Sequence, residues 1–403
     1  MNISKPARYA MFGLIYFAEG AILSYFTALN ALYLLSFNLS MSQIGLMGMI
    51  ALIPFVIKIL MGMLSDRFNL LNMGYRKPYI IIGLVVQCLC LVVVPTINPG
   101  ENFWLFALLA FTLMMGQALY DTCTDGLALD TTSEAEQGTI QGIMVGGRAM
   151  GVVLISAALG LIVTHGSWTI AFWVLAGLTL IPLPFVFMVK ESPRPAERKF
   201  EWKAFRAFSQ KGIIALGLLG ALYSFIINGT NQIINPFLDN TFHIGITSAG
   251  FYTTLWGVGV VLGGLTGGRL TDKIGQRRSL MGALFISLAA ILSLSLIINP
   301  AMAWPLVALF GLAFGYYETV YFAVSMRSTD PRIAASMFAI LMAVANIGTG
   351  IGLGLSGLAV DTIGYRWTFV VIACLNILAL PLLPLIFPPK TNAASKIELS
   401  VEL

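Results

Sequence analysis

Residues 62–78 read GMLSDRFNLLNMGYRKP, and residues 267–278 read GGRLTDKIGQRR. Each stretch leaves a long apolar segment through a small residue. An acid and a base follow in succession, Asp66-Arg67 and Asp272-Lys273, and then a basic cluster. The two acids stand 206 residues apart in a chain of 403, so one unit is written twice. Other marks repeat with them. Tyr120-Asp121 returns 197 residues later as Tyr317-Glu318. A glycine-rich run (Gly142, Gly146, Gly147, Gly151, Gly160) returns as Gly348, Gly350, Gly352, Gly354 and Gly357. Small residues let membrane helices approach closely, whether to slide on a neighbour or to pack tightly against it.

Outward from these stretches the chain divides into twelve apolar segments, near residues 9–35, 43–64, 79–95, 103–126, 138–163, 168–189, 212–236, 247–268, 279–299, 302–325, 332–358 and 366–387. About 20 apolar residues cross the hydrocarbon of a bilayer, so most of these segments predict a crossing. The chain is 58% hydrophobic and 10% charged, with mean hydropathy +0.87. A soluble domain carries about 25% charged residues. The basic residues alternate with the segments. The N-terminus, the loops after segments 2, 4, 6, 8 and 10, and the C-terminal tail hold 20 of the 23 Lys and Arg. The odd loops hold only Arg366, while Lys58 and Arg148 lie inside segments. Basic loops stay cytoplasmic, so both termini are expected there. The net charge of +5 is then a topology signal and calls for no nucleic acid. Lys5 and Arg8 precede an apolar run too long for a signal peptide, so that run is expected to be the first helix. Cys88, Cys90, Cys123 and Cys374 lie in apolar segments and read as small hydrophobes, with no disulfide and no metal site.

The longest loop, KESPRPAERKFEWKAFRAFSQK (190–211), splits the segments six and six. The expected units are a six-helix bundle over 1–189, a cytoplasmic linker over 190–211, a second bundle over 212–389 and a cytoplasmic tail over 390–403. Phe200, Trp202, Phe205 and Phe208 alternate with Lys199, Lys203 and Arg206, which suits a short helix on the inner leaflet or a plain charged linker.

Two six-helix halves, a long central loop and the acid–base stretch after segments 2 and 8 resemble the major facilitator superfamily. The second copy fits that superfamily's loop pattern, and the first departs from it by an insertion between Arg67 and Arg76. YFAEG (16–20), IKILMGMLSDRF (57–68), YRKP, YDTCTDGLALD (120–130) and GLAVDTIGYRWTF further resemble its peptide–acetyl-coenzyme A–drug transporter branch. That branch holds AmpG-like muropeptide permeases, and folate–biopterin transporters are similar to it. The resemblance implies an all-α membrane protein of twelve helices in two pseudo-symmetric bundles, and a carrier rather than an enzyme. It further implies helices 1, 4, 7 and 10 around a central cavity, and a cytoplasmic gate of Asp66, Arg67, Asp272 and Lys273.

Ionisable groups inside a bilayer are costly and mark pathways. The chain places Glu19, Lys58, Asp121, Asp125, Arg148 and Glu318 within segments. Glu19, Asp121, Asp125 and Glu318 are the proton-coupling candidates, because burial disfavours a carboxylate's charged form. Asp121 and Asp125 share one helix face, and Lys58 is expected to pair with Asp125. Arg148 has Asn346 as its repeat counterpart, so its charge belongs to one half only. It can hold a solute carboxylate or phosphate, or lock helices 4 and 5 through an acid of helix 4. Tyr25, Asn30, Tyr223, Asn228, Asn231, Gln232 and Asn346 complete the candidate binding set, with Asn235, Tyr252 and Trp256 behind them. His165 and His243 fall at segment ends. No Walker loop or dinucleotide fingerprint is present, so no cofactor is expected. The expected partners are a small solute, protons and the bilayer of the inner membrane, with the chain working as a monomer. The expected activity is proton-coupled symport of a medium-sized polar or anionic organic solute. A proton-antiport exporter is the alternative, and an uncoupled receptor or lipid-handling protein is a third reading.

Overall fold

The computed structural model describes residues 4–70, 73–131, 137–189, 191, 209–328 and 334–388, and its regular elements there are all helical. In chain order these are α1 (Lys5–Ala28), α2 (Asn30–Leu35), α3 (Met41–Arg67), α4 (Lys77–Val93), α5 (Phe103–Thr131), α6 (Gln137–His165), α7 (Trp168–Leu180), α8 (Leu183–Met188), α9 (Lys211–Phe242), α10 (Gly245–Ile274), α11 (Gln276–Ser295), α12 (Pro300–Ser328), α13 (Ala334–Leu375) and α14 (Leu383–Ile386).

Local chemistry sets the ends. Ser40 caps α3 in a capping box with Gln43, each side chain bonded to the other's backbone N–H. Ser167 caps α7. The first apolar segment breaks at Leu29 into α1 and α2. Asn235 of α9 donates to the Ala28 carbonyl that the break frees, at 2.8 Å. Pro182 separates α7 from α8.

Among the described residues, eleven helical runs are long and apolar enough to span a bilayer. The last covers Ile340–Ile386, 47 residues, more than twice the roughly 20 a crossing needs. Within it Gly364 has φ 79° and ψ 167°, a left-side backbone that only glycine adopts freely, and it breaks α13. The linker 190–211 and the tail 390–403 lie outside the described residues apart from Glu191 and 209–211, and so does the expected inner-leaflet helix. Glu191 accepts from the backbone N–H groups of Tyr75, Arg76 and Lys77 at 2.7, 2.8 and 2.5 Å. Its carboxylate thereby satisfies donors at the start of α4.

The helices pack as two halves. In the first, α1 lies on α6 and α5 on both α3 and α4; in the second, α9 lies on α13 and α12 on both α10 and α11. Glycines put backbone against backbone. A Cβ at Gly20 would fall 2.1 Å from the Arg148 carbonyl oxygen of α6, and one at Gly348 would fall 2.0 Å from that of Ala221 in α9. Within the glycine-rich runs, Gly147 and Gly151 pack on α1 and Gly348 and Gly352 on α9, while Gly160 packs on α10 and Gly357 on the start of α3, across the halves.

The halves meet along α3–α13 and α6–α10. Met41 N–H and Ser42 N–H bond the Asp361 carboxylate at 3.2 and 2.6 Å, and Ser42 Oγ–H bonds it too. Thr164 and Thr247 share a hydroxyl bond of 2.7 Å, and Thr254 donates to the Val153 carbonyl at 2.8 Å. Asn346 reaches the Phe55 carbonyl at 3.3 Å. Among the described residues, every hydrogen bond between the halves runs from mid-helix to the end bearing the turns at 36–40 and 243–244. Among the described residues, no hydrogen bond joins the halves at the end bearing the N-terminus and the 68–76 loop. Among the described residues the halves are hydrogen-bonded to each other at one end, here the sealed end, and not at the end nearer the N-terminus, here the open end.

Candidate functional site

The intramembrane charges converge. Tyr16 and Glu19 lie three residues apart on α1, so both face the same way. Opposite them α5 presents Asp121 and Asp125, one turn apart. Lys58 of α3 pairs with Asp121, Nζ to Oδ2 3.1 Å. The sequence paired Lys58 with Asp125, and this is a correction. Asp125 accepts a short hydrogen bond from the Tyr16 hydroxyl instead, which also stands 3.4 Å from Asp121. A phenol has one proton to donate and the closer carboxylate takes it, while the lysine reaches the carboxyl a turn further in.

Arg148 of α6 stands 3.5 Å from Glu19, so its acid is on α1 and not on α5. The guanidinium's field also reaches Asp121 and, from the second half, Glu318 of α12. Two cations thus face four carboxyls. Their exposures differ in a way that decides the surface. The Arg148 and Lys58 side chains are 48% and 33% exposed, while Glu19 and Asp121 behind them are 2% and 7%. The cations, and not these two carboxylates, form the exposed surface there.

The second half supplies rings. Tyr223 of α9 lies 4.5 Å from Tyr321 and 5.2 Å from Tyr317, both on α12. Other candidates hydrogen-bond to neighbouring helices. Asn228 donates to Ser224 and Thr349, Gln232 to the Leu353 carbonyl and Ser356, and Asn346 to Phe55. Tyr25 and Asn30 line a space of about 390 Å³ near the sealed end with Phe106 and Phe172, away from the charges. Asn231 and Asn235 line another, of about 200 Å³, beside Tyr252 and Trp256. Tyr252 donates to the Pro300 carbonyl, and Trp256 packs edge-on against Phe314. His165 ends α6 and His243 follows α9, away from the centre.

Of the expected gate, the side chains of Asp66 and Arg67 lie outside the described residues. Asp272 pairs with Arg327 of its own half at 3.1 Å, and both are exposed. Arg76, which sequence reading left inside the basic cluster, reaches inward to Asp130 and to Ser65. Asp361, Tyr16 and Glu191 also carry contacts that the sequence did not assign. Only Tyr16 had a sequence signal, its place one turn before Glu19.

The Major Facilitator Superfamily model matches twice, over residues 12–234 and 216–402, one match for each half. The chain belongs to the Major Facilitator Superfamily. It is 24% identical over 384 residues to a Rickettsia typhi protein named as transporter AmpG 2, covering 89% of each chain. It is 31% identical over 167 residues to the multidrug efflux protein YfmO of Bacillus subtilis, covering 38% of this chain and 40% of that one. Among solved structures it matches a bacterial homologue of the human lysosomal transporter Spinster in an inward-facing, unoccupied conformation. That match has TM-score 0.76 and 19% identity and covers 95% of this chain and 98% of the other. As a superfamily member the protein is a multi-pass membrane transporter, and its charged cluster sits where the helices of its first half face the second.

Proposed function

We propose that this superfamily member is a secondary active carrier that moves a medium-sized polar or anionic organic solute by alternating access, with proton symport. Its halves rock about the central cluster. In this reading the chain crosses the inner membrane twelve times, with Gly364 turning the last run into two crossings, and both termini are cytoplasmic by the basic-loop rule. The open end is then the cytoplasmic one. The carrier acts as a monomer.

The observation that carries the reading is the order of exposure among the central charges. Arg148 and Lys58 present donors to the solute, and Glu19 and Asp121 hold them from behind. A guanidinium half exposed and paired with one acid at 3.5 Å can take a carboxylate or phosphate in its fork. Muropeptides, pterins and coenzyme A esters are solutes of this chemistry. The supporting test is a thermal-shift screen on detergent-purified protein with those classes and with lipophilic cations. A solute at 100 times its Kd stabilises by about 2.7 kcal/mol. Stabilisation by one anionic class that is lost in Arg148→Ala is expected. Stabilisation only by lipophilic cations, unchanged in Arg148→Ala, would reject the reading.

Export by proton antiport is the second reading, favoured by the partial match to a multidrug efflux protein. There the same acids exchange a proton for the outgoing molecule. The exposed cations disfavour cationic drugs as its cargo.

A further inference from the structure

The two halves do not carry the same charges at equivalent places. Lys58 and Gly264 are equivalent by the 206-residue offset of α3 and α10, and Asp121 and Glu318 by the 197-residue offset of α5 and α12. The geometry agrees. Lys58 reaches Asp121, and a side chain at Gly264 would emerge 3.1 Å from Thr319, the neighbour of Glu318. The second half therefore keeps the acid and lacks its lysine. Among the described residues Glu318 has no cation within 4 Å, and the cation whose field reaches it is Arg148, across the gap between the halves.

The surroundings offer no substitute. From α9 the titratable neighbour is Tyr223. The charges of α10 (Arg269, Asp272, Lys273) and of α11 (Arg277, Arg278) lie at the open end, and Asp272 is taken by Arg327. Arg327 itself stands nine residues from Glu318, about 14 Å along the helix. The charges of α13, Asp361 and Arg366, lie at the sealed end. On α12 only Tyr316, Tyr317 and Tyr321 are near. A Cβ at Gly142 or Gly146, on the α6 turns before Arg148, would meet nothing within 4 Å, so that face of α6 is uncovered.

We infer that Glu318 is the alternate partner of Arg148, and that the two join across the halves when the open end of the empty carrier closes. With an anion on Arg148 that partner is lost, and closure would bury an uncompensated carboxylate, which is strongly unfavourable. One proton from the bulk, added to the Glu318 carboxylate, removes the charge and lets the loaded carrier close. The asymmetry of the repeat thus couples one proton to one anionic group. This coupling rests on the symport reading above. The ion pair does not, and a measurement without solute separates them.

The test is electron–electron distance spectroscopy on the solute-free protein in proteoliposomes, with nitroxides at Phe68→Cys and Arg278→Cys and the four native cysteines replaced by alanine. Wild type is expected to populate a short distance at high pH and to lose it as pH falls. Glu318→Gln and Arg148→Gln should each lose the short distance at every pH, and the double variant should lose no more than either. Glu318→Asp should keep the pH response, which excludes mere misfolding. Gly264→Lys, which gives Glu318 a partner in its own half, should behave like Glu318→Gln. A pH response that survives in Glu318→Gln, or losses that add in the double variant, overturns the pair. If anion uptake fails while the pH response stands, the symport reading fails and the pair remains.

Discussion

Replacing Asp361 by asparagine should loosen the sealed end. Its carboxylate accepts from two backbone N–H groups and a hydroxyl at the start of α3, and among the described residues it is the charged side chain that hydrogen-bonds across the halves. Asparagine keeps one accepting oxygen and loses the charge. The lost interaction with the helix N-terminus is about 0.3–1 kcal/mol at an exposed position, and one weakened hydrogen bond adds about 1 kcal/mol. A loss of about 1–2 kcal/mol lowers the ratio of sealed to unsealed molecules by about 5- to 30-fold. Nitroxides at Ser36→Cys and Ile298→Cys would read it as a new, longer distance. Thr164→Val, at the equivalent place on the other interface, removes one neutral bond to Thr247 and should shift the ratio less. High salt should mimic part of the Asp361 effect, since exposed charges are screened. An unchanged distance distribution in Asp361→Asn would show that apolar packing alone holds that end, and would refute the reasoning.

Tyr16→Phe removes the donor to Asp125 and should destabilise the protein by about 1–3 kcal/mol, read as a lower midpoint of thermal unfolding in detergent. Lys58→Met leaves Asp121 with only the 3.4 Å contact to Tyr16. It should cost toward the lower end of the about 3–5 kcal/mol that a broken buried pair costs, because Lys58 is one-third exposed. Lys58→Met combined with Asp121→Asn should recover much of that loss. Gly348→Leu places a side chain 2.0 Å from the Ala221 carbonyl and should separate α9 from α13, seen as loss of the monodisperse peak in size-exclusion chromatography.

The halves and the apolar helices were legible because they rest on periodic signals: apolar length and a repeated acid–base stretch. The residues that meet in the middle were legible as a set, since a charged group inside a bilayer is rarely idle. Their pairings were not. Asp121 and Asp125 share a face, and which of them meets Lys58 depends on how far α3 is shifted along α5. The packing of α3 on α5, with Gly62 against the Thr122 methyl, goes with that shift, and no residue announces it. Asn228, Gln232 and Asn346 were legible as polar groups needing partners, and their amide NH2 groups donate to carbonyls and hydroxyls of packed helices. Asp361 was invisible as a latch because its partners, Met41 and Ser42, are some 320 residues away. The missing lysine at Gly264 becomes meaningful only once Lys58 is seen on Asp121.

The central claim is that an anion and a proton move together through the cavity that Arg148 lines. Its most direct test is proton entry into proteoliposomes loaded with a pH-sensitive dye, on addition of an anionic solute that stabilises the purified protein. The account predicts solute-driven acidification of the lumen in wild type, faster at lower external pH, and its loss in Arg148→Ala and in Glu318→Gln. Solute uptake with no proton entry, or proton movement driven only by lipophilic cations and untouched by Arg148→Ala, would contradict it.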